Sequence, residues 1–143
     1  MKLRTYLNFG GNCGQALRFY EKQLGGKITS MSTFADMPPH PQGLQGQPQM
    51  PKDAVLHARI VIGDTEIMAS DAPPGVYQPM RSAYLSLSVD SNEEVERIFK
   101  TLSEGGETFM PVQETFFAHR FAMMRDKFGT SWMVIHEKEM ARV

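Results

Sequence analysis

An internal repeat constrains the fold of this 143-residue chain more than any other feature of its sequence. Each half begins with an alternating segment of the kind that forms a strand, and a stretch with helical spacing follows it. A glycine pair closes each helical stretch, Gly25-Gly26 in the first half and Gly105-Gly106 in the second, and further strand-like segments complete the half. The order strand, helix and three strands, repeated once, predicts two tandem βαβββ modules.

The same pattern sets the boundaries of the modules. We expect one domain over residues 1–143, made of module one, about 1–75, and module two, about 80–143. Hydrophobic alternation and turn residues delimit the strands. The predicted strands are residues 2–9, 27–34, 54–62, 66–70, 83–89, 107–112, 120–125 and 131–136.

Polar residues mark where the two predicted helices begin. Asn12 with Gln15, and Ser91 with Glu94, have the spacing of a capping box, in which side chains bond the first free backbone N–H groups of a helix. The glycine pairs predict where the helices end, because glycine accepts the left-handed conformation that a helix end requires.

Residues 35–52 interrupt the first module with a composition unlike the rest of the chain. They hold five of the nine prolines, four glutamines and two glycines. We interpret them as a loop between strands, because a structureless segment this long inside a compact domain is usually functional or disordered. A lid over a site, a dimer contact, a solvated excursion and a disordered segment all remain open.

Alternation along the strands assigns one face of each sheet to the helix. Leu7 and Phe9 in module one, and Leu85 and Leu87 in module two, would pack under the helices. The predicted fold is α+β, a curved mixed sheet around a shared cavity with the helices on the outer face. A solvated sheet face would show the same alternation. The face opposite the helices would be polar or aromatic and carries Arg4, Tyr6, Asn8, Tyr84, Ser86 and Ser88.

Charge and composition exclude some classes of partner. Fifteen basic against sixteen acidic residues give a net charge of −1, which offers no electrostatic attraction to nucleic acid or to an anionic membrane. No apolar run approaches the roughly 20 residues of a membrane span, and the start lacks a signal-peptide core. The single Cys13 cannot form an internal disulfide, so we expect a cytoplasmic protein with a structural cysteine. Eleven methionines indicate an adaptable apolar interior or pocket.

Two common kinds of site lack their sequence motifs. The segment Gly10-Gly11-Asn12-Cys13-Gly14 lies between a strand and a helix, but it has neither the dinucleotide-binding nor the P-loop glycine spacing. The histidines form no recognised metal motif, although ligands gathered from separate strands remain possible. They are His40, His57, His119 and His136.

The segment His57-Ala58-Arg59 is a third candidate site. His57 and Arg59 would face the cavity if Ala58 packs under the helix. An arginine there suits an anionic or carbonyl-bearing ligand. An internal ion pair with Glu114 is the interpretation we favour, because an inward arginine needs a counter-charge even in an empty site. We therefore expect the Glu114 carboxylate to reach His57 or Arg59.

Five separated stretches carry a resemblance to a known family: Tyr6–Phe9, Ala16–Tyr20, His57–Ile60, Met110–Phe116 and Phe128–Met133. With the doubled βαβββ pattern, they resemble the vicinal oxygen chelate superfamily of glyoxalases, bleomycin-resistance proteins and extradiol dioxygenases. The closer resemblance is to its PhnB-like branch, and it covers nearly the whole chain. Proteins of this branch are often labelled demethylubiquinone methyltransferases, but the sequence has no Rossmann-type S-adenosylmethionine site to support that label.

The resemblance implies one metal-ligand position on each of four strands. These positions fall at Arg4, Met68, Tyr84 and Met133. None is the histidine or glutamate that the superfamily's divalent ions need, and a cationic arginine opposes a metal. We therefore expect no metal and no cofactor.

The interpretation we favour is a metal-independent protein that binds a small organic molecule in its cavity. The resemblance also implies a homodimer, as is common among small members of the superfamily. One alternative is an enzyme of the lyase, isomerase or dioxygenase type with Glu114 or His57 as general base. Another is a resistance-type protein that sequesters its ligand without turnover. The predicted ligand contacts are Arg4, Tyr6, His57, Arg59, Met68, Tyr84, Ser86, Glu114, Phe116, Phe117 and Met133.

Overall fold

The computed structural model describes residues 1–37 and 50–139, and the chain divides into two compact units, Met1–Gln78 and Pro79–Val143. Each unit has one α-helix and one four-stranded mixed sheet. The predicted α+β architecture of two βαβββ modules is therefore confirmed. Neither α-helix in the described ranges is long and apolar enough to cross a membrane.

The first unit contains β1 (Thr5–Phe9), α1 (Cys13–Leu24), β2 (Lys27–Thr33), β3 (Val55–Ile62) and β4 (Thr65–Asp71). The strands lie in the order β1-β4-β3-β2, with β1 parallel to β4 and the other neighbours antiparallel. A two-residue turn at Gly63-Asp64 joins β3 to β4, as the sequence predicts for a hairpin.

The second unit contains β5 (Leu85–Ser88), α2 (Asn92–Ser103), β6 (Glu107–Gln113), β7 (Ala118–Arg125) and β8 (Ser131–Glu137). The strand order β5-β8-β7-β6 repeats that of the first unit, again with the first strand parallel to the last. Strand β5 has four residues and one neighbour in its sheet, so Leu85 and Leu87 are half-buried where full burial was predicted.

The two helices begin differently. Ser91 Oγ accepts the backbone N–H of Glu94 at 3.1 Å, so the predicted cap of α2 is confirmed. The predicted cap of α1 is wrong, because the Asn12 side chain makes no capping hydrogen bond. Asp71 Oδ1, from β4, instead accepts the N–H groups of Gly11 and Cys13 at 2.9 and 3.0 Å. The parallel pairing of β1 and β4 brings this carboxylate to the helix start, where it is a stronger acceptor than an amide.

Glycine ends α1 as the sequence predicts, since Gly25 directly follows the helix in the left-handed conformation, with φ of 69°. After α2 the first residue is instead Glu104, which is extended. Gly105 follows it with φ of 75°, in a turn closed by the Gly106 N–H and the Ser103 carbonyl at 3.0 Å. Gly106 meets a different requirement, since a Cβ there would collide with the backbone carbonyl of Arg125.

The helices cover the sheet faces that alternation assigns to them. In the first unit Leu7, Phe9, Ala58 and Ile60 are all buried. The Phe9 ring lies 6.5 Å from the ring of Tyr20 on α1, centroid to centroid. In the second unit, the buried face of α2 is formed by Val95, Ile98 and Leu102.

Most of the predicted loop 35–52 lies outside the described residues, which omit 38–49. The flanking residues do pair with one another. The Ala35 N–H donates to the Lys52 carbonyl at 3.0 Å, and the Phe34 N–H donates to the Ala54 carbonyl at the same distance. A 3-10 turn over Phe34–Asp36 follows β2 at this point.

Candidate functional site

The sheet face of the first unit that α1 leaves uncovered is polar. The strand register pairs Tyr6 with Met68, Asn8 with Ser70 and Arg59 with Met68, so these side chains share one face. His57 joins them, because it lies two residues before Arg59 on β3. We name the set the polar face: Tyr6, Asn8, His57, Arg59, Met68 and Ser70.

A chain of hydrogen bonds crosses the polar face. The Tyr6 hydroxyl donates to Ser70 Oγ at 2.8 Å, and Ser70 Oγ donates to Asn8 Oδ1 at 3.0 Å. The Tyr6 ring also lies 6.2 Å from the His57 ring, centroid to centroid. Tyr6 remains about half exposed, so these groups are both positioned and accessible. The sequence analysis named Tyr6 and His57 but did not name Ser70, whose role depends on its register opposite Asn8.

Arg59 has a different partner from the one expected. Its Nη1 lies 3.3 Å from Glu66 Oε1, and both side chains are about 40% exposed. Glu66 lies on the neighbouring strand opposite Val61, within diagonal reach of Arg59 on the same face. Glu114 forms an ion pair with Lys138, Oε2 to Nζ, at 2.7 Å. The hydrogen bond from Lys138 lowers the pKa of the Glu114 carboxyl below its ordinary value.

The corresponding face of the second unit is mainly apolar at its centre, where the alternation predicts polar or aromatic side chains. Phe121 and Ile135 are buried there, and the register pairs them with each other and pairs Met123 with Met133. Polar side chains on this face include Ser86 of the edge strand β5, opposite Met133, and Arg125 of β7, opposite Ser131. We name this set the methionine-rich face: Met110, Phe117, Phe121, Met123, Met133 and Ile135.

The other predicted contacts of the second unit have separate surroundings. Phe116 is 81% exposed, with its ring edge-on to Phe117 at 5.2 Å. Tyr84 is half-buried and packs edge-on against Phe109 at 6.3 Å. Of the predicted apolar contacts, Phe117 and Met133 therefore belong to one cluster, while Phe116 projects into solvent.

The metal positions that the family resemblance implies do not suit a divalent ion. Arg4 is exposed and precedes β1, and Met68 and Met133 supply thioethers to ions that prefer imidazole or carboxylate. The residues that actually pair with these methionines on the first strand of each unit are Tyr6 and Ser86, which are hydroxyl-bearing. In residues 1–37 and 50–139 no three His, Cys, Asp or Glu side chains gather closely enough to hold an ion.

The glycine-rich start of α1 is not a phosphate site. The N–H groups of Gly11 and Cys13, which a phosphate would need, are already bonded to the buried Asp71 carboxylate. A second anion there would face this negative charge. The capping interpretation of the segment is therefore the correct one, although Asp71 supplies the cap.

The Cys13 thiol is fully buried, and burial together with the Asp71 carboxylate raises its pKa to about 12. We expect a thiol reagent at pH 8 to modify the folded protein very slowly and the urea-unfolded protein quickly, because the thiolate is the reactive form. Folding stability should also fall as the pH rises from 9.0 toward 12, since the unfolded chain releases this proton first. Cys13→Ala should remove that part of the fall, and fast labelling of the native protein would contradict the assignment.

Relatives of this chain match it over nearly its whole length. The sequence matches the family described as 3-demethylubiquinone-9 3-methyltransferase over residues 1–135. Protein YjdN of Escherichia coli (strain K12) is 37% identical over 138 residues, which cover 94% of each protein. Among solved structures, protein PA1353 from Pseudomonas aeruginosa is 40% identical, with a TM-score of 0.83 over 97% of this chain and 99% of its own.

Two further solved structures show the fold alone. The PhnB protein from Bacillus cereus is 23% identical, with a TM-score of 0.79 over 95% of this chain and 99% of its own. The glyoxylase/bleomycin resistance protein/dioxygenase domain from Frankia sp. EAN1pec is 16% identical, with a TM-score of 0.63 over 96% of this chain and 98% of its own. The two βαβββ modules thus have the glyoxalase/bleomycin-resistance fold.

Proposed function

Since the chain belongs to the PhnB-like 3-demethylubiquinone-9 3-methyltransferase family, we propose that it binds a small organic molecule on the polar face. The hydrogen-bond chain from Tyr6 through Ser70 to Asn8 is the observation that carries the proposal. A sheet face that only met solvent would not need a tyrosine hydroxyl held at a defined position. Convergent polar groups of this kind orient ligands in binding sites.

The chemistry of the polar face favours a ligand with hydrogen-bonding groups and no strong negative charge. The Arg59 guanidinium is paired with Glu66, so the pair is neutral as a whole. The remaining groups are a phenol, a hydroxyl, an amide and the imidazole of His57. Met68 adds a thioether that adapts to irregular apolar shapes.

Neither methyl transfer nor chemistry at the superfamily's metal position is part of the proposal. Each unit has a four-stranded mixed sheet, whereas a Rossmann-type S-adenosylmethionine site requires a doubly wound parallel sheet. Arg4, Met68, Tyr84 and Met133 lack the ligands for a divalent ion. We therefore propose binding without a metal at these four positions.

The test is whether a ligand stays bound to the protein through purification. Mass spectrometry of denatured protein should find a small organic molecule at near-stoichiometric amount. Tyr6→Phe and Ser70→Ala should each weaken its binding by about fivefold, since one hydrogen bond contributes about 1 kcal/mol. Tyr77→Phe, a tyrosine of the same unit outside the polar face, is the matched control. If Tyr6→Phe and Ser70→Ala bind the ligand as tightly as Tyr77→Phe, the proposal is wrong.

An enzyme is the second candidate, with His57 as the general base. The proximity of the His57 and Tyr6 rings favours it. Glu114 is a poorer candidate, because a carboxylate with a lowered pKa and a paired ammonium accepts a proton less readily. If the protein turns over the identified ligand and His57→Gln abolishes that turnover, the result would support an enzyme. Binding without turnover would support the sequestering alternative.

We also propose that the protein is a cytoplasmic homodimer. Each four-stranded sheet has two edge strands, and edges with unpaired N–H and C=O groups favour association. Sedimentation at micromolar concentration should give twice the monomer mass of 16.1 kDa. A monomer under these conditions would contradict the proposal.

A further inference from the structure

Two histidines meet at the end of the second sheet, outside the polar face and the methionine-rich face. The ring centroids of His119 and His136 lie 4.7 Å apart, with 41° between the ring planes. His136 is on β8, and Arg120 of β7 pairs with it. The register shifts between Ala118 and Arg120, so His119 is the extra residue of a β-bulge. Such bulges redirect a side chain, and here the bulge brings the two imidazoles together.

The orientation of His136 is set by a helix residue. Its Nδ1 lies 2.9 Å from Oδ1 of Asn92, the first residue of α2. An amide oxygen only accepts, so Nδ1 donates in this contact, and in the neutral ring Nε2 then has the free lone pair. Histidines that bind metals usually donate their other ring N–H to an oxygen in this way. The ring is therefore held in the tautomer that a metal ligand needs.

The surroundings of the pair are acidic. A depression of about 750 Å³ is lined by both histidines and by three acidic residues, Asp90, Glu137 and Glu139. The one ammonium in the lining, that of Lys138, is paired with Glu114. The nearby Arg120 guanidinium turns to the backbone and donates to the His119 carbonyl at 2.6 Å. The local charge balance thus favours a cation over an anion.

We propose that His119 and His136 bind one divalent transition-metal ion of the kind that prefers nitrogen ligands, with water completing its coordination. Imidazole suits zinc, copper and nickel. Two protein ligands make this an open site of modest affinity, and the carboxylates attract the ion to it. The site takes no part in the proposed ligand binding. It is also distinct from Arg4, Met68, Tyr84 and Met133, the positions at which we expect no metal.

Zinc binding to the chelator-treated, tag-free protein tests the site. Calorimetric titration should show one Zn²⁺ per chain. His119→Gln should weaken the zinc affinity about tenfold or more. Loss of a residue that only hydrogen-bonds a metal ligand already weakens affinity by about 10–100-fold, and this variant removes a ligand itself. His119 is exposed, so this variant should fold normally. His57→Gln is the matched control and should leave the titration unchanged.

Asn92 is a positioning residue for His136, and its variants test the site in a second way. Asn92→Asp keeps an oxygen acceptor and should retain zinc binding, whereas Asn92→Leu should weaken it. The electron paramagnetic resonance spectrum of bound Cu²⁺ should show two imidazole nitrogens in the wild type and one in His119→Gln. Zinc affinity that is the same in His119→Gln as in the wild type, or a single imidazole nitrogen in the wild type, would overturn the proposal.

Discussion

Replacing Asp71 with alanine is expected to lower the free energy of unfolding by on the order of 4 kcal/mol. The Asp71 carboxylate is 5% exposed and accepts three backbone N–H groups, those of Gly11, Cys13 and Val55, at 2.8 to 3.0 Å. It therefore connects the end of β4 to the start of α1 and to the start of β3. Alanine would leave these donors without this partner, and those of Cys13 and Val55 are buried from water. Urea denaturation should show a lower midpoint with an unchanged slope.

Two further variants separate the cap from a general effect of charge. Asp71→Asn keeps one oxygen acceptor but turns an NH₂ group toward a backbone donor, so we expect a loss of about 2 kcal/mol. Asp53→Ala removes an exposed aspartate of the same unit and should change stability by less than about 0.5 kcal/mol. If Asp71→Ala is as mild as Asp53→Ala, water reaches the three N–H groups and the assignment of the cap is wrong.

Gly106→Ala is expected to lower the free energy of unfolding at least as much as Asp71→Ala, by roughly 4 kcal/mol or more. A Cβ at this position would overlap the Arg125 carbonyl and would lie 2.9 and 3.0 Å from Asp126 C and Cα. All these atoms are backbone, so no side chain can move aside to make room. Soluble yield should fall sharply, and any folded fraction should unfold at a much lower urea concentration.

Gly105→Ala is the matched control, one residue away. Gly105 has φ of 75°, but a Cβ there would meet only the Lys127 side chain, at 3.5 Å and beyond. The expected loss is about 1–2 kcal/mol, the strain of a left-handed conformation with a side chain. If the two glycine variants lose the same stability, backbone strain and not collision explains both.

The elements that follow from short-range chemistry were predictable from the sequence. The Ser91 cap of α2 and the glycine end of α1 depend on residues within one helical turn, so their spacing is visible in the chain. The burial of Ala58 and Ile60 beside the half-buried His57 and Arg59 depends on the two-residue period of a strand.

The contacts that depend on register were not predictable in the same way. Asp71 caps α1 from the far end of β4, and Arg59 selects Glu66 because β3 and β4 pair with Val61 opposite Glu66. In each case a charged residue took the partner that strand pairing brought within reach. The sequence favours Asn12 and Glu114 for these roles, because distances across strands are not visible in it.

The chemistry of the two uncovered faces shows the same division. Alternation in Tyr6-Leu7-Asn8-Phe9 was sufficient to predict a polar face in the first unit. In the second unit, the edge strand β5 alternates in the same way and predicts a polar face. That prediction is wrong for the centre of the face, because the central strands carry Met123, Met133 and Phe121. Eleven methionines in the composition indicated an adaptable apolar surface but not its location.

The sequence by itself determined the repeat, the element order, the helix ends and which residues of each strand share a face, because these depend on backbone geometry over a few residues. Tertiary structure alone decided which carboxylate caps α1, which acid pairs with Arg59, and that a bulge places His119 beside His136. These contacts depend on strand order and register, which join residues far apart in the chain. Their free energies depend on burial and distance, and both exist only once the sheet has formed.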